Sequence, residues 1–310
     1  MFIGKILNCV LHPKKLLNYI ENKRLHSSYG KKLDDETYVR RMFKLEMGYD
    51  LNLENPRTFN EKLQWLKLYN RRPEYTTMVD KYEVKKYVAD KIGEKYVVPL
   101  YGVWDKFEDI DFDSLPERFV LKTTHDCGGV VVCKDKSEFD KAEAKTFLEK
   151  HLAREYFFHG REWPYKNVKP RIIAEQYMVD ESGYDLKDYK FFCFGGEVKL
   201  CMIERDRAKG RNGHAVDFFD RNFEHQNITV DGYPNAAQHY EKPSNYDELL
   251  AIAEKLAKNI PHIRVDLYNV NGRVYFGELT FFQASGNVKF SPIAWDEVLG
   301  NWIELHEKVY

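Results

Sequence analysis

Cysteine is scarce in this chain and arranged to do little as a group. The five, Cys9, Cys127, Cys133, Cys193 and Cys201, are odd in number and contain no C-x-x-C pair, which argues against a disulfide framework or a structural zinc site. His214 and His225 have no second His or Cys at ligand spacing. No apolar run approaches the roughly 18 residues needed to span a bilayer, and no small-residue cleavage site follows the N-terminal segment, so neither a membrane span nor a signal peptide is expected. An excess of positive charge is missing as well. With 48 Lys and Arg against 49 Asp and Glu the formal net charge is -1, and nothing recommends an electrostatic partnership with nucleic acid. Repeats and low-complexity tracts are absent. So are G-x-x-x-x-G-K-[ST] and G-x-G-x-x-G, which excludes P-loop and Rossmann readings. The expected compartment is the cytoplasm.

What is present suits a globular enzyme. At 310 residues, 43% hydrophobic, the chain can bury a sizeable core. Residues 34–72 read as helical, with Thr58-Phe59-Asn60-Glu61 as a capping box and Phe59, Leu63 and Leu66 on one face. Later stretches mix β-branched runs with amphipathic ones, which indicates an α+β architecture. The start, MFIGKILNCVLHPKKLLNYI, combines Phe2, Ile3, Ile6, Leu7, Val10 and Leu11 with Lys5, Lys14 and Lys15. It is either a helix packed on the domain or a peripheral contact with an anionic membrane surface.

The most informative segment is HIRVDLYNVNGRVYFGELTFF. Asn271-Gly272 is a hairpin signal between two β-rich runs. In the first run Ile263, Val265 and Leu267 alternate with Arg264, Asp266 and Tyr268, so an apolar face and a charged face result. Register decides whether the second acid joins the first. A two-residue loop sets Asp266 opposite Gly277 and turns Glu278 away, whereas a three-residue loop at 271–273 sets Glu278 opposite Asp266 and makes a joint metal site. A surface hairpin with solvated acids is the alternative.

Two lysines sit where polyphosphate could be held. Asp80-Lys81-Tyr82-Glu83 reads as a capping box that puts Lys81 at a helix N-terminus, where a cation opposes the macrodipole and a bound anion would offset the cost. Lys122 ends a strand over 118–122 before the loop TTHDCGG, whose Gly128 and Gly129 permit close backbone approach to phosphates, and 130–133 is the returning strand. Cys127 within that loop reads as a filler, because no local base is evident.

These motifs, in this order, resemble the ATP-grasp fold: a helix-opening lysine, a strand lysine before a glycine loop, the acidic RIIAEQYM segment, and R-x-D with a Glu on the next strand. More narrowly, NPRTFNEKLQWLKLY, DKYEVKKYV, DYKFFCF and VDLYNVNGRVYFGELTF resemble the TupA-like ATP-grasp proteins, the branch named for teichuronopeptide biosynthesis. The resemblance implies an α+β, ATP-grasp fold of two subdomains clasping ATP, with an N-terminal helical region over 1–72, a small subdomain with the glycine loop over 73–180 and a large, metal-binding subdomain over 181–310. It implies that Lys81 and Lys122 contact the phosphates, and that the loop with Thr124, His125, Gly128 and Gly129 closes over them. Glu175 and the backbone at Tyr177 would meet adenine, Asp188 would hold the ribose, and Gln176 and Lys190 would belong to the same nucleotide site. Asp266 and Glu278 would bind Mg²⁺ (or Mn²⁺), and Arg264 would steady the acyl-phosphate oxygens. One position departs: Thr280 stands where such ligases commonly have Asn, which leaves the second metal position open.

The implied activity is an ATP- and Mg²⁺-dependent carboxylate-amine ligase. Its acceptor would be a small-molecule or polysaccharide-precursor carboxylate, a uronic acid of a capsular or cell-surface polysaccharide, joined to an amine at or near the inner face of the cell membrane. The basic segment with Arg205, Arg207, Lys209 and Arg211 could receive phosphate or an acidic sugar by charge-assisted bonds, or be a solvated loop, and Ser285 is a further substrate candidate. Two other functions compete. A glycosyltransferase would use Asp109-Ile110-Asp111 or Asp111-Phe112-Asp113 as a D-x-D motif, although these acids precede Pro116 and the next strand instead of ending one. A nucleotide-binding scaffold without turnover would result if Thr280 weakens the metal site.

Overall fold

The structure is a computed structural model that describes residues 13–180, 186–205, 214–237 and 240–310. The start over 1–12, with its expected membrane contact, lies outside the described residues, as do Arg207, Lys209 and Arg211. Arg205 is described only as the last residue of its strand.

Helices come first: α1 Pro13–Leu25, α2 Ser28–Lys32, α3 Asp35–Met47, α4 Phe59–Tyr69, α5 Glu74–Val79 and α6 Glu83–Ile92. The capping box expected at α4 is formed, Thr58 Oγ1 accepting from Glu61 N at 3.2 Å and Glu61 accepting from Thr58 N at 3.1 Å. The one expected before α6 is not. Asp80 Oδ1 accepts from Tyr82 N and Glu83 N (2.8 and 3.3 Å), but the Glu83 carboxylate takes Arg171 at 2.9 Å in place of the returning backbone bond. The Arg171 side chain outcompetes a local cap, and Lys81 ends up two residues ahead of the helix.

Strands β1 Leu100–Trp104, β2 Phe119–Thr123, β3 Val130–Cys133 and β4 Ile172–Gln176 make an antiparallel sheet in the order β1-β4-β2-β3. Between β3 and β4 lie α7 Lys141–Leu152 and the short α8 Phe157–Gly160. Strands β5 Asp188–Phe194, β6 Glu197–Arg205, β7 Ala215–Asp220, β8 His225–Gln226, β10 His262–Val270 and β11 Arg273–Thr280 form a second sheet, ordered β11-β10-β5-β6-β7-β8. A small pair joins β9 Thr229–Val230 to β12 Phe290–Ser291, and α9 Tyr246–Ala257 and α10 Ala294–Asn301 complete the chain.

Two apolar cores result. The smaller one packs Phe119, Leu121, Ile172 and Ala174 of the four-stranded sheet against Ala144 and Leu148 of α7. The larger one is shared by the six-stranded sheet, α9 and the N-terminal helices, with Phe43, Phe59, Leu63, Phe191, Val265 and Leu249 all fully enclosed. The N-terminal helices are therefore part of the body that carries the β10–β11 hairpin, packed by the same hydrophobic burial.

Candidate active site

Neither of the two loop lengths considered for the hairpin accounts for its register alone. Asn271 (φ 53°) and Gly272 (φ 82°) make a two-residue turn, with Val270 opposite Arg273, as the positive φ values of a type I′ turn demand. Further along, the register shifts between Leu267 and Asp266, so that Gly277 is the extra residue of a β-bulge and Glu278 pairs with Asp266. The bulge re-aims the Glu278 side chain. Glycine suits the position, since a Cβ on Gly277 would meet the Asp266 carbonyl oxygen at 3.0 Å.

The charged face of β10 is built as a chain of alternating sign. Ile263, Val265 and Leu267 are fully buried on the other face. Arg264 holds Asp266 bidentately, Nε to Oδ1 and Nη2 to Oδ2 both at 2.6 Å, and Nη2 also reaches Glu278 Oε1 at 2.9 Å. From β5, Lys190 donates to Asp266 Oδ2 at 2.8 Å and Asp188 Oδ2 at 2.5 Å. Burial pushes the Asp266 carboxyl up, but Arg264 and Lys190 outweigh it and bring it down to about 2. Burial likewise opposes the charge on Arg264, yet Asp266 and Glu278 hold the guanidinium firmly protonated. Glu278 is half exposed, and Thr280 Oγ1 donates to it at 3.3 Å.

Across the cleft the charge is positive. On the four-stranded sheet Lys122 and Glu175 meet at 2.6 Å, and Lys85 of α6 reaches the other Glu175 oxygen at 2.6 Å. Burial disfavours the Lys122 charge, but Glu175 more than compensates and its pKa is raised. Glu175 is lowered for the reciprocal reason, against its own burial. Lys81 Nζ donates to the Asp126 carbonyl. Lys81, Lys85 and Lys122 against Glu175 leave that wall with two positive charges.

The glycine loop is fastened from behind. Asp126, 1% exposed, accepts from the Thr123 hydroxyl, meets His151 Nδ1 at 2.5 Å and takes Arg154 Nη1 at 3.2 Å. Thr124 Oγ1 donates to the Lys169 carbonyl at 2.9 Å and accepts from Arg171 N at 3.1 Å. His125 Nε2 meets the Arg154 carbonyl at 3.1 Å. Gly128 has φ 86°, and a Cβ on Gly129 would collide with Thr123, Asp126 and His151.

Between the two walls lies a cleft of about 670 Å³. Of the residues expected to serve it, Lys81, Lys122, Gly128, Glu175, Arg264, Glu278, Thr280 and Ser285 line it. The others stand behind. Thr124, His125 and Gly129 fix the loop; Asp188, Lys190 and Asp266 form the layer under Arg264 and Glu278; Gln176 is exposed at the end of β4, and Tyr177 lies under Arg118 at 5.8 Å from the ring centre. Lys85, Glu162 and Tyr268 also line the cleft, although sequence reasoning gives them no part in it. Lys85, in DKYEVKKYV, carries no signal of its own, being one of several lysines on a charged helix. The D-x-D acids are elsewhere: Asp111 caps Asp113 N and Ser114 N, and Ile110 and Phe112 are buried in the small core.

The strap Gln283–Gly286 closes the cleft toward the N-terminal helices. Ala284 (φ 44°) and Ser285 (φ 55°) are both left-handed, at a cost on the order of 1 kcal/mol each. Gln64 and Lys67 hold them there. Gln64 Nε2 donates to the carbonyls of Ser285 (3.0 Å) and Gly286 (2.8 Å), and the buried Lys67 donates through Nζ to Ser285 O at 2.8 Å and Gln64 Oε1 at 2.8 Å.

The sequence profile of the TupA-like ATP-grasp family matches residues 61–304. The chain belongs to the TupA-like ATP-grasp family. Its α+β architecture is accordingly the ATP-grasp fold. No protein of curated function matches the chain. Among solved structures it is similar to D-alanine–D-alanine ligase from Bacillus anthracis (20% identity, TM-score 0.37, 66% of this chain and 57% of that one) and from Helicobacter pylori (14%, TM-score 0.42, 81% and 70%). It is also similar to a RimK domain ATP-grasp protein from Sphaerobacter thermophilus DSM 20745 (12%, TM-score 0.40, 76% and 70%). The chain thus spans less than two thirds of the length of the first of these ligases.

ATP-grasp chemistry asks for Mg²⁺, and the donor set fits it sparingly. Among the described residues no cluster of three or more His, Cys, Asp or Glu could hold a metal. Mg²⁺ on a nucleotide commonly takes only one or two carboxylates besides phosphate and water. Glu278, half exposed at the cleft, supplies one; Asp266, 1% exposed and already accepting from Arg264 twice and Lys190 once, has about one lone pair left and supplies the second only from behind Arg264.

Proposed function

We propose that this chain is an ATP- and Mg²⁺-dependent carboxylate-amine ligase working through an acyl phosphate. Its carboxylate substrate is a uronic acid of a capsular or cell-surface polysaccharide precursor, and its second substrate an amino compound. The observation that carries the ligase half is the opposition of walls: Lys81, Lys85 and Lys122 on one side of a single cleft, Arg264 and Glu278, backed by the buried Asp266, on the other. Phosphoryl transfer needs positioning and charge neutralisation more than a protein nucleophile, and this arrangement offers both.

Each residue has a task on that reading. Lys81 and Lys122 hold the phosphates, and the glycine loop, fastened by Asp126 and His151, covers them with backbone N–H groups. Lys85 keeps Glu175 ionised and in place at the base end. Asp266 and Glu278 would hold Mg²⁺, which when bound neutralises the β and γ oxygens. Arg264, locked by two bonds to Asp266, one to Glu278 and one to Gln283, keeps a single Nη1 proton for the cleft, and it meets a planar carboxylate or the transferring phosphoryl group as a fork only when such a group displaces Gln283 from Nη1. The substrate carboxylate attacks the γ-phosphorus and ADP leaves; the amine then attacks the acyl carbon and phosphate leaves. The uronic-acid assignment rests on the family.

The test is product release. The protein with ATP, Mg²⁺, uronic acids and a panel of amines is expected to release ADP and phosphate only when both acceptors are present. Release of a nucleoside diphosphate from a sugar nucleotide with ATP untouched would establish a glycosyltransferase instead, and tight ATP binding without product under any acceptor would establish a scaffold.

A further inference from the structure

A second cavity of about 260 Å³ adjoins the nucleotide cleft on the side of the N-terminal helices. Its walls come from α3 (Tyr38, Val39, Met42, Phe43, Glu46), α4 (Gln64, Lys67), the end of α8 and the strap. Three residues belong to both spaces: His159, Ala284 and Ser285. The two therefore meet at one place, and among the described residues His159 is the only titratable side chain they share. The strap is held in its left-handed conformation by Gln64 and Lys67, both from the cavity's own helix α4. So the helices that wall the cavity also set the boundary of the cleft.

The charge of the cavity is decided by subtraction. Lys67 is fully enclosed, spends its protons on Gln64 Oε1, Ser285 O and Ser285 Oγ (2.8, 2.8 and 3.4 Å), and has the buried Glu162 as counter-charge. Glu162 lines the neighbouring cleft and not this cavity, and it offsets the Lys67 charge from there, while Lys67, bonded to Gln64 and the strap, has no proton left for a guest. Glu46 has no ion-pair partner among the described residues. A small space with one free carboxylate, two imidazoles (His26 and His159) and an apolar side of Val39, Met42 and Phe43 attracts a cation with a short apolar body and disfavours an anion.

We infer that this cavity is the pocket for the amine substrate, a small primary ammonium compound drawn in by Glu46 and delivered to the cleft past His159 and Ser285. The inference rests on the ligase reading and adds to it which end of the molecule each substrate enters. It also gives the N-terminal helices a function, since they carry most of the wall. The ammonium must lose one proton before its nitrogen lone pair can attack. His159, packed against His26 (5.3 Å between ring centres) and Tyr156 (6.2 Å), stands at the junction to take it. Attack forms the C–N bond and breaks the acyl C–O bond, the electron pair leaves with inorganic phosphate, and the second nitrogen proton departs to solvent as the amide forms.

The experiment is a calorimetric titration of the full chain, loaded with Mg²⁺ and a non-hydrolysable ATP analogue. The probes are ethanolamine, glucosamine, L-alanine and L-lysine, each against its N-acetyl form (for lysine, the doubly acetylated form). At least one amine is expected to bind, its acetylated form and the Glu46→Gln variant each weakening it about tenfold or more, the size expected when a charged hydrogen bond is removed. Met42→Trp, which fills the apolar side from another position, is expected to block it too. Analogue affinity should stay unchanged in both variants. Analogue bound but no amine bound, or amine binding indifferent to both variants, overturns the pocket and leaves the ligase reading standing. Failure to bind the analogue at all overturns both.

Discussion

Arg264 is the residue on which chemistry and structure are hardest to separate. Its guanidinium spends Nε and one Nη2 proton on Asp266, reaches Glu278 with the same Nη2 and gives an Nη1 proton to Gln283, so it is the keystone of a buried charge chain with one Nη1 proton left at the cleft. Arg264→Lys keeps the charge but cannot reproduce the fork. ATP affinity is expected to stay within a few fold while the turnover rate falls roughly 10²-fold, the size of losing a transition-state charge stabiliser. Normal turnover would make Arg264 structural, and parallel loss of ATP binding and rate would make it a ground-state contact. Lys122 poses the opposite case. Because Lys85 also neutralises Glu175, Lys122→Ala leaves no bare buried charge, and the loss of stability should stay at about 1–3 kcal/mol while ATP affinity drops tenfold or more by calorimetry. Unchanged affinity would remove Lys122 from the phosphate site. Both residues are legible in the sequence because strand alternation and a following glycine loop mark them. Lys85 is not, since a second lysine on a charged helix looks like any solvated one until Glu175 is folded against it.

At the scale of elements, the glycine loop and the β10–β11 hairpin show what local pattern can and cannot convey. Both turns are visible: Asn271-Gly272 demands positive φ, and Gly128-Gly129 permits close approach. The bulge at Gly277 is not, because a bulge is a property of two paired strands and leaves no trace in either one beyond a glycine. It reconciles a two-residue turn with an Asp266–Glu278 pair, an outcome that loop length alone could not supply. The latch behind the glycine loop is equally hidden, since Asp126 and His151 are far apart in the chain and meet only when α7 packs on β2. His151→Ala should loosen the loop without touching the chemistry: the KM for ATP is expected to rise about tenfold, in line with losing a charge-assisted bond, with kcat at saturating ATP little changed. A fall in kcat at constant KM would show that the latch acts on the reacting groups instead. His151→Gln, which restores a donor, should recover part of the loss.

The molecule as a whole is tied together by buried charge as well as by its cores. Lys67 connects α4 to the strap, and burial lowers its pKa from 10.5 to about 8 although Glu162 raises it. A group that is easier to deprotonate in the folded state destabilises the fold while it stays protonated, so this contribution should be relieved as pH rises from about 8 to 10.5. Chemical denaturation across that window is expected to show wild-type stability rising relative to a Lys67→Met, Glu162→Gln double variant, which has neither titration. Parallel curves would mean that water reaches the pair.

On the proposed reading nucleotide binding engages both walls of the cleft, and its effect on the whole chain can be sized. Ligand at a hundred times its Kd stabilises by about 2.7 kcal/mol. For 310 residues an unfolding entropy of roughly 2.1 cal/mol/K per residue gives ~0.65 kcal/mol/K, and hence a shift of about 4 °C in Tm. Scanning calorimetry with ATP and Mg²⁺ should show a shift of that size, and Lys122→Ala should lose most of it at the same ATP concentration. The metal half is separable. If Asp266 and Glu278 share Mg²⁺ with the nucleotide, chelating the metal should shrink the shift in the wild type but change little in Asp266→Asn, whose carboxylate is already gone. That comparison is fair only if the variant folds, which its own melting without ligand establishes. Equal sensitivity to chelation in both proteins would place the metal on the phosphates alone and leave the bulge-aligned acids as partners of Arg264 and Lys190.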